Sequence, residues 1–240
     1  SWYVEQWFAQ AGQPLVDRRN GRDGDAGEAY FDSEAGRQIF EWWAGLEADG
    51  LYHNPGVEAR GEARSAFLEG DAAMLVASSS SLAGIEDSAR EGGFELGTAP
   101  LPVADERSGL VVGGASLWVP KTVSRERQQL AGEFLAWLAE PAQQARWHRE
   151  TGYFPINRGA VETLRSDGWF RENPHFETAL NELLASSDIP ATNGARIGPF
   201  DTVRTLVEEA YLDARDHDVE TALTDLDAQV ERLLESYRTG

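Results

Sequence analysis

Phe94-Glu-Leu-Gly-Thr-Ala-Pro-Leu-Pro102 and, after a polar loop, Gly109-Leu-Val-Val-Gly-Gly-Ala-Ser-Leu-Trp-Val-Pro120 decide how the rest of the chain is read. Both contain short apolar runs rich in β-branched residues and broken by Gly and Pro, the pattern of strands that stop, bend and restart. Nearly all the remaining sequence has helical periodicity. Two adjacent extended segments inside a helical chain are what a two-lobed protein needs where its backbone passes from one lobe to the other. Gly113 and Gly114 free the backbone and let a ligand approach main-chain N–H groups. An ordinary central hairpin with a glycine bulge accounts for them equally well.

Composition narrows the possibilities. The 240 residues, 41% hydrophobic and with 8 Trp, can bury one large or two small cores and are too apolar for disorder. With 41 acidic against 21 basic residues the formal charge is −20, which opposes the counterion release that nucleic-acid binding depends on. Nucleic acid and anionic membrane are therefore poor partners. Every basic residue except Lys121 is Arg, so an anion site here would use a guanidinium fork working against the overall field. The absence of Cys removes thiol chemistry, disulfides and Cys-based metal sites. No apolar run approaches the ~20 residues of a membrane span. Ser1 opens directly into Trp-Tyr-Val-Glu-Gln-Trp-Phe, as expected if a leader has been removed or the chain begins inside something larger.

From the N-terminus, residues 2–11 read as a helix with no N-cap ahead of it, and 12–27 as a solvated Gly/Asp/Arg surface loop. A helix over 34–48 follows, burying Ile39, Phe40, Trp43 and Leu46, then a short one over 63–69 ended by Gly70. Ala72-Ala-Met-Leu-Val-Ala77 has the length and uniform apolarity of a strand covered on both faces. It leads through Ser78-Ser-Ser-Ser81 into a helix. That places hydroxyls and free N–H donors at the carboxyl end of a strand, where open α/β sheets bind ligands and a helix dipole favours anions. Capping alone explains the serines as simply.

Ser124 caps a helix whose Leu130, Phe134, Leu135 and Leu138 form an apolar face, and Pro141 starts another ending near Gly152. Residues 152–157 are extended, with Tyr153 suited equally to a core or a cleft, and Asn157 can cap the next helix. Helices over 176–185, 200–215 and 218–237 complete the chain, with Arg196 between two glycines in the loop before the last pair. The four His lack metal-ligand spacing, and no nucleophile elbow, phosphate loop or dinucleotide fingerprint occurs.

Five collinear stretches carry a resemblance. These are Phe67-Leu-Glu-Gly-Asp-Ala-Ala-Met74, Ala77-Ser-Ser-Ser-Ser-Leu-Ala-Gly-Ile85, Gly113-Gly-Ala-Ser-Leu-Trp-Val119, Trp147-His148 with Thr151-Gly-Tyr-Phe-Pro-Ile156, and Gly194-x-Arg196-x-Gly198. From Glu5 onward the chain resembles the extracellular solute-binding proteins of ABC importers, most closely those for glycerol-3-phosphate or glycerophosphodiesters. The resemblance implies an α/β, helix-rich, periplasmic-binding-protein-like fold of the type II, maltose-binding kind, with two lobes closing on ligand. Residues 1–101 and 153–240 would form most of the C-terminal lobe, and 102–152 would cross back to an N-terminal lobe whose opening part lies outside this sequence and would be a packing partner.

By the same resemblance, Ser78 gives a hydroxyl to the ligand, the Gly114 N–H and an Arg196 fork bind phosphate oxygens, and Tyr153 adds a hydroxyl. Such proteins place Trp residues just before the first helix to stack on the glycerol; aligned through Glu5, the last of these falls on Ser1, and Trp2 stands one place later. A small residue at Ser1 widens the cleft, so glycerophosphocholine fits as well as glycerol-3-phosphate. The implied protein is exported, either periplasmic or lipid-anchored at the membrane's outer face. It carries no cofactor, and it hands a small molecule to the permease subunits of an ABC importer without chemistry. A sugar-binding protein of the same fold is the alternative, and a carbohydrate-active enzyme, needing two facing carboxylates, is the alternative of another class.

Overall fold

The computed structural model describes residues 1–57, 59–103 and 107–239. The helices in chain order are α1 (Trp2–Gln10), α2 (Asp17–Gly21), α3 (Glu34–Ala48), α4 (Arg60–Glu69), α5 (Leu82–Gly92) and α6 (Arg125–Leu138). They continue as α7 (Pro141–Thr151), α8 (Arg158–Ser166), α9 (Trp169–Glu172), α10 (His175–Leu184), α11 (Phe200–Asp216) and α12 (Val219–Thr239), and a 3-10 turn, Ser79–Ser81, precedes α5. The chain forms two compact units, one of Ser1–Ala63, Pro102–Val112 and Glu182–Gly240, the other of Arg64–Leu101 and Gly113–Asn181.

In the first unit α11 and α12 pack on each other and on α3, which also receives α1. The sequence dictates this arrangement. Val203, Val207, Ala210, Tyr211 and Ala214 form one stripe of α11, and Ala222, Leu223, Leu226, Val230 and Leu234 one stripe of α12, and both stripes are buried. They close around Phe8, Phe31 and Phe40, none of which is more than 1% exposed. The Ser33 hydroxyl caps α3 by accepting from the Gly36 N–H at 3.2 Å. Asp227 of α12 accepts from the Phe31 and Asp32 N–H groups at 2.8 and 3.0 Å, tying the chain ahead of α3 to the last helix.

The loop over 12–27, expected as a solvated excursion, is partly core: Leu15, Val16, Asn20 and Ala26 are all buried. Arg18, Arg19, Asp23 and Asp25 are exposed, as the composition suggested. Residue-type averages miss this because a buried Asn is acceptable wherever its amide is fully hydrogen-bonded.

In the second unit α5 and α8 pack on α7, and α9 packs on α8. The core here is Ala145, Ala160, Leu164, Phe170, Phe176 and Leu180. Ser124 and Asn157 cap α6 and α8 through their side chains, and α7 opens at Pro141 and stops at a left-handed Gly152, as the sequence predicts.

Two expectations fail in this unit. Residues 72–77 form neither helix nor strand, and Met74 is 87% exposed instead of covered on both faces. α6 forms, yet Leu130 and Phe134 on its expected apolar face are 59% and 55% exposed. The physical reason is the same in both places: a strand and an apolar stripe are realised as core only where other backbone and side chains cover them, and the described residues do not. The segments 94–103 and 109–120 likewise carry no helix or strand; the isolated antiparallel bridge Val16–Ala29 is the β-pairing among the described residues. The middle of the polar loop between them, 104–106, lies outside the described residues.

Candidate functional site

Three of the sequence-predicted site residues lie in the second unit. Ser78 sits, exposed, at the N-cap of the 3-10 turn: its hydroxyl accepts from the Ser80 N–H at 3.3 Å and lies 3.0 Å from the Ser80 hydroxyl. The Ser81 hydroxyl donates back to the Ser78 carbonyl at 2.7 Å. The serines therefore do cap the turn, and the capping leaves the hydroxyl cluster at the surface.

Tyr153 follows the left-handed Gly152 and is held from both sides by α7. Its N–H donates to the Thr151 hydroxyl at 3.2 Å, and its carbonyl accepts from His148 Nδ1 at 2.7 Å. The ring stays 43% exposed, tilted against Trp147 at 6.4 Å. Gly152 also brings Tyr153 and the serine turn together, because a Cβ there would run into the Ser79 carbonyl. Gly114 (φ 151°) is exposed in the 109–120 segment, with nothing within 4 Å of where a Cβ would stand.

His148 was not foreseen. It is 1% exposed and boxed edge-on by Trp169, Phe170 and Phe176, with ring centroids at 5.3, 5.4 and 5.9 Å. Burial lowers its pKa, opposed by the bond to the Tyr153 carbonyl and assisted by nearby Arg149. The neutral ring therefore carries its proton on Nδ1, facing that carbonyl. The sequence signal was available in Trp147-His148 beside Thr151-Gly-Tyr153, where a His one turn ahead of a left-handed glycine can reach the residue after it.

Ser1, Trp2 and Arg196 lie in the first unit. The Ser1 hydroxyl donates to Glu208 at 3.0 Å. Trp2 is half-buried, with the Arg204 guanidinium 5.6 Å from its ring centre and 4.6 Å from that of Phe200. Arg204 also forks onto Glu5 at 2.7 and 3.2 Å, and that carboxylate raises the Arg pKa. Trp2 is thus already a platform for a protein cation, which its position in the sequence did not reveal. Arg196 is exposed on an extended loop whose neighbours Ala195 and Ile197 pack against the core, so the alternation turns the guanidinium outward. Its side chain has no hydrogen-bond or ion-pair partner among the described residues.

Residues 1–178 match the family model described as bacterial extracellular solute-binding protein. The chain belongs to that family. Among relatives of this solute-binding protein is the sn-glycerol-3-phosphate-binding periplasmic protein UgpB of Yersinia pestis bv. Antiqua (strain Antiqua), 33% identical over 210 residues, or 86% of this chain and 47% of the relative. The protein of the same name from Escherichia coli (strain K12) is 31% identical over the same shares. The chain thus spans about half the length of the curated relatives it matches.

Solved structures agree on the fold. UgpB from Mycobacterium tuberculosis in complex with glycerophosphocholine has a TM-score of 0.72 at 24% identity, covering 98% of this chain and 56% of that one. The sugar-binding protein MalE from Xanthomonas citri has a TM-score of 0.73 at 17% identity, covering 99% and 56%. The fold is that of the periplasmic binding proteins, in a helix-rich portion. No helix among the described residues is long and apolar enough to cross a membrane.

Proposed function

We propose that this solute-binding protein captures a glycerol-phosphate compound, glycerol-3-phosphate or a glycerophosphodiester, for delivery to the permease of an ABC importer. It acts outside the cytoplasmic membrane, by lobe closure and without covalent chemistry. In this reading residues 1–101 and 153–240 belong to the C-terminal lobe and 102–152 cross to the N-terminal lobe. Arg196 forks onto phosphate, the Gly114 N–H donates to a phosphate oxygen, Ser78 and Tyr153 give hydroxyls, and Ser1 and Trp2 border the glycerol end.

The observation that carries the reading is Arg196, an outward guanidinium that, like half of the Arg side chains, has no carboxylate partner among the described residues, and whose own backbone N–H is fixed at 2.8 Å on the Asn20 carbonyl. A cation kept free in so acidic a chain is suited to an anionic ligand. The names of the UgpB relatives support the same ligand class, whereas the likeness to the sugar-binding MalE is one of fold.

Titration calorimetry on the full-length protein tests it. Arg196→Ala should weaken sn-glycerol-3-phosphate by tens- to thousands-fold, the effect of losing ~2–5 kcal/mol from a charged pair. An unchanged affinity would overturn the assignment. A thermal-shift screen of sn-glycerol-3-phosphate, glycerophosphocholine and maltose identifies the ligand class, because only a bound ligand raises the melting temperature.

A further inference from the structure

α2 is not a right-handed helix. Arg18, Arg19 and Asn20 have φ of 53°, 53° and 62°, three successive non-glycine residues in the left-handed region, and Gly21 follows at 76°. Left-handed backbone costs roughly 1–2 kcal/mol per L-residue, so the turn persists only because its surroundings over-determine it.

Asn20 is the centre of that determination. Its side chain is 1% exposed, and Oδ1 accepts from the Leu15 and Val16 N–H groups at 3.0 and 3.2 Å while Nδ2 donates to the Pro190 carbonyl at 3.2 Å. The turn then presents its backbone to one place. The Asn20 carbonyl accepts from the Arg196 N–H at 2.8 Å, and a Cβ on Gly21 would run into the Arg196 carbonyl. Arg22, next along, donates to the Asn193 carbonyl and, at 3.2 Å, to the Gly194 carbonyl.

We infer that Asn20 and Arg22 are positioning residues for Arg196, and that the strained turn exists to set the height and direction of that one guanidinium. The inference rests on the reading of Arg196 as the phosphate fork. With its N–H bonded to the Asn20 carbonyl, its carbonyl lying close against Gly21 and its neighbours Ala195 and Ile197 packed on the core, Arg196 has mainly side-chain torsions left to order when an anion arrives. Less ordering on binding means tighter binding for the same contacts.

The test is a double-mutant cycle on the full-length protein, read by calorimetry with sn-glycerol-3-phosphate and with glycerophosphocholine. Asn20→Ala should weaken both by about tenfold, the worth of one to two hydrogen bonds, and Arg22→Ala, an exposed change that keeps the fold, by several-fold. In an Arg196→Ala background neither change should weaken binding further. Losses of equal size with and without Arg196, or parent-like affinity in Arg22→Ala and Asn20→Ala, would overturn the positioning role while leaving the phosphate reading intact. Parent-like affinity in Arg196→Ala alone, or no binding of either compound to the parent, removes the phosphate reading and the inference with it.

Discussion

Replacing His148 by Phe isolates a balance that the structure lets us weigh. The substitution puts a phenyl ring in place of the five-membered imidazole among Trp169, Phe170 and Phe176, so an aromatic ring still fills the box. It removes the Nδ1 bond to the Tyr153 carbonyl, a loss of about 1 kcal/mol. It also removes Nε2, which is buried and has no hydrogen-bond partner among the described residues, a gain of ~1–3 kcal/mol. The half-exposed Tyr153 segment can hydrate its carbonyl, so at neutral pH the variant should be as stable as the parent or more stable by up to about 2 kcal/mol.

Acid should separate the two proteins. Because burial lowers the His148 pKa, the unfolded chain takes up the proton first as pH falls below the usual histidine value of 6.5. The stability held by the neutral ring is complete above that value and lost as pH falls through the lower folded-state pKa. Urea midpoints measured from pH 8 to pH 5 on the full-length protein should therefore decline more steeply in the parent than in His148→Phe, so that the variant becomes relatively more stable in acid. A difference between the two curves that stays flat over the whole range would refute the buried neutral imidazole.

Gly152→Ala should destabilise the protein by more than ~1 kcal/mol, since a left-handed residue (φ 81°) gains a Cβ directed at the Ser79 carbonyl; a matched Gly70→Ala, at φ 87° with nothing within 4 Å of its Cβ, should cost less, and equal unfolding midpoints would contradict the contact. Leu226→Ala, in a site with 0% exposure between α11, α12 and α3, should cost ~2–5 kcal/mol by thermal or urea unfolding. A cost under ~1 kcal/mol there would mean that the packing of α12 is looser than described.

Helix positions were legible in the sequence to within a few residues. The span 34–48 coincides with α3, and the caps at Ser124 and Asn157 and the stop at Gly152 are all in place. That 72–77, 94–102 and 109–120 are not helical was legible too, but that they form no strand among the described residues was not. Of the candidate site, Ser78, Gly114, Tyr153, Arg196, Ser1 and Trp2 were proposed from residue type and motif, whereas Asn20, His148 and Arg204 were passed over. Asn20 looked like one more polar residue in a Gly/Asp/Arg stretch, and His148 was weighed only for metal-ligand spacing.

The division between the two kinds of result follows the range of the forces. Periodicity, caps and glycine stops act among residues within about four positions, so the sequence alone settles them. Whether an apolar run is covered, whether a polar side chain finds its partners inside, and which backbone pins which loop depend on groups far away along the chain. Asn20 reaches Pro190 and Arg196, and Gly152 meets Ser79, only because the helices between them have packed. Non-local packing therefore turned a tract of ordinary surface composition into the support of the one guanidinium on which the proposed function depends.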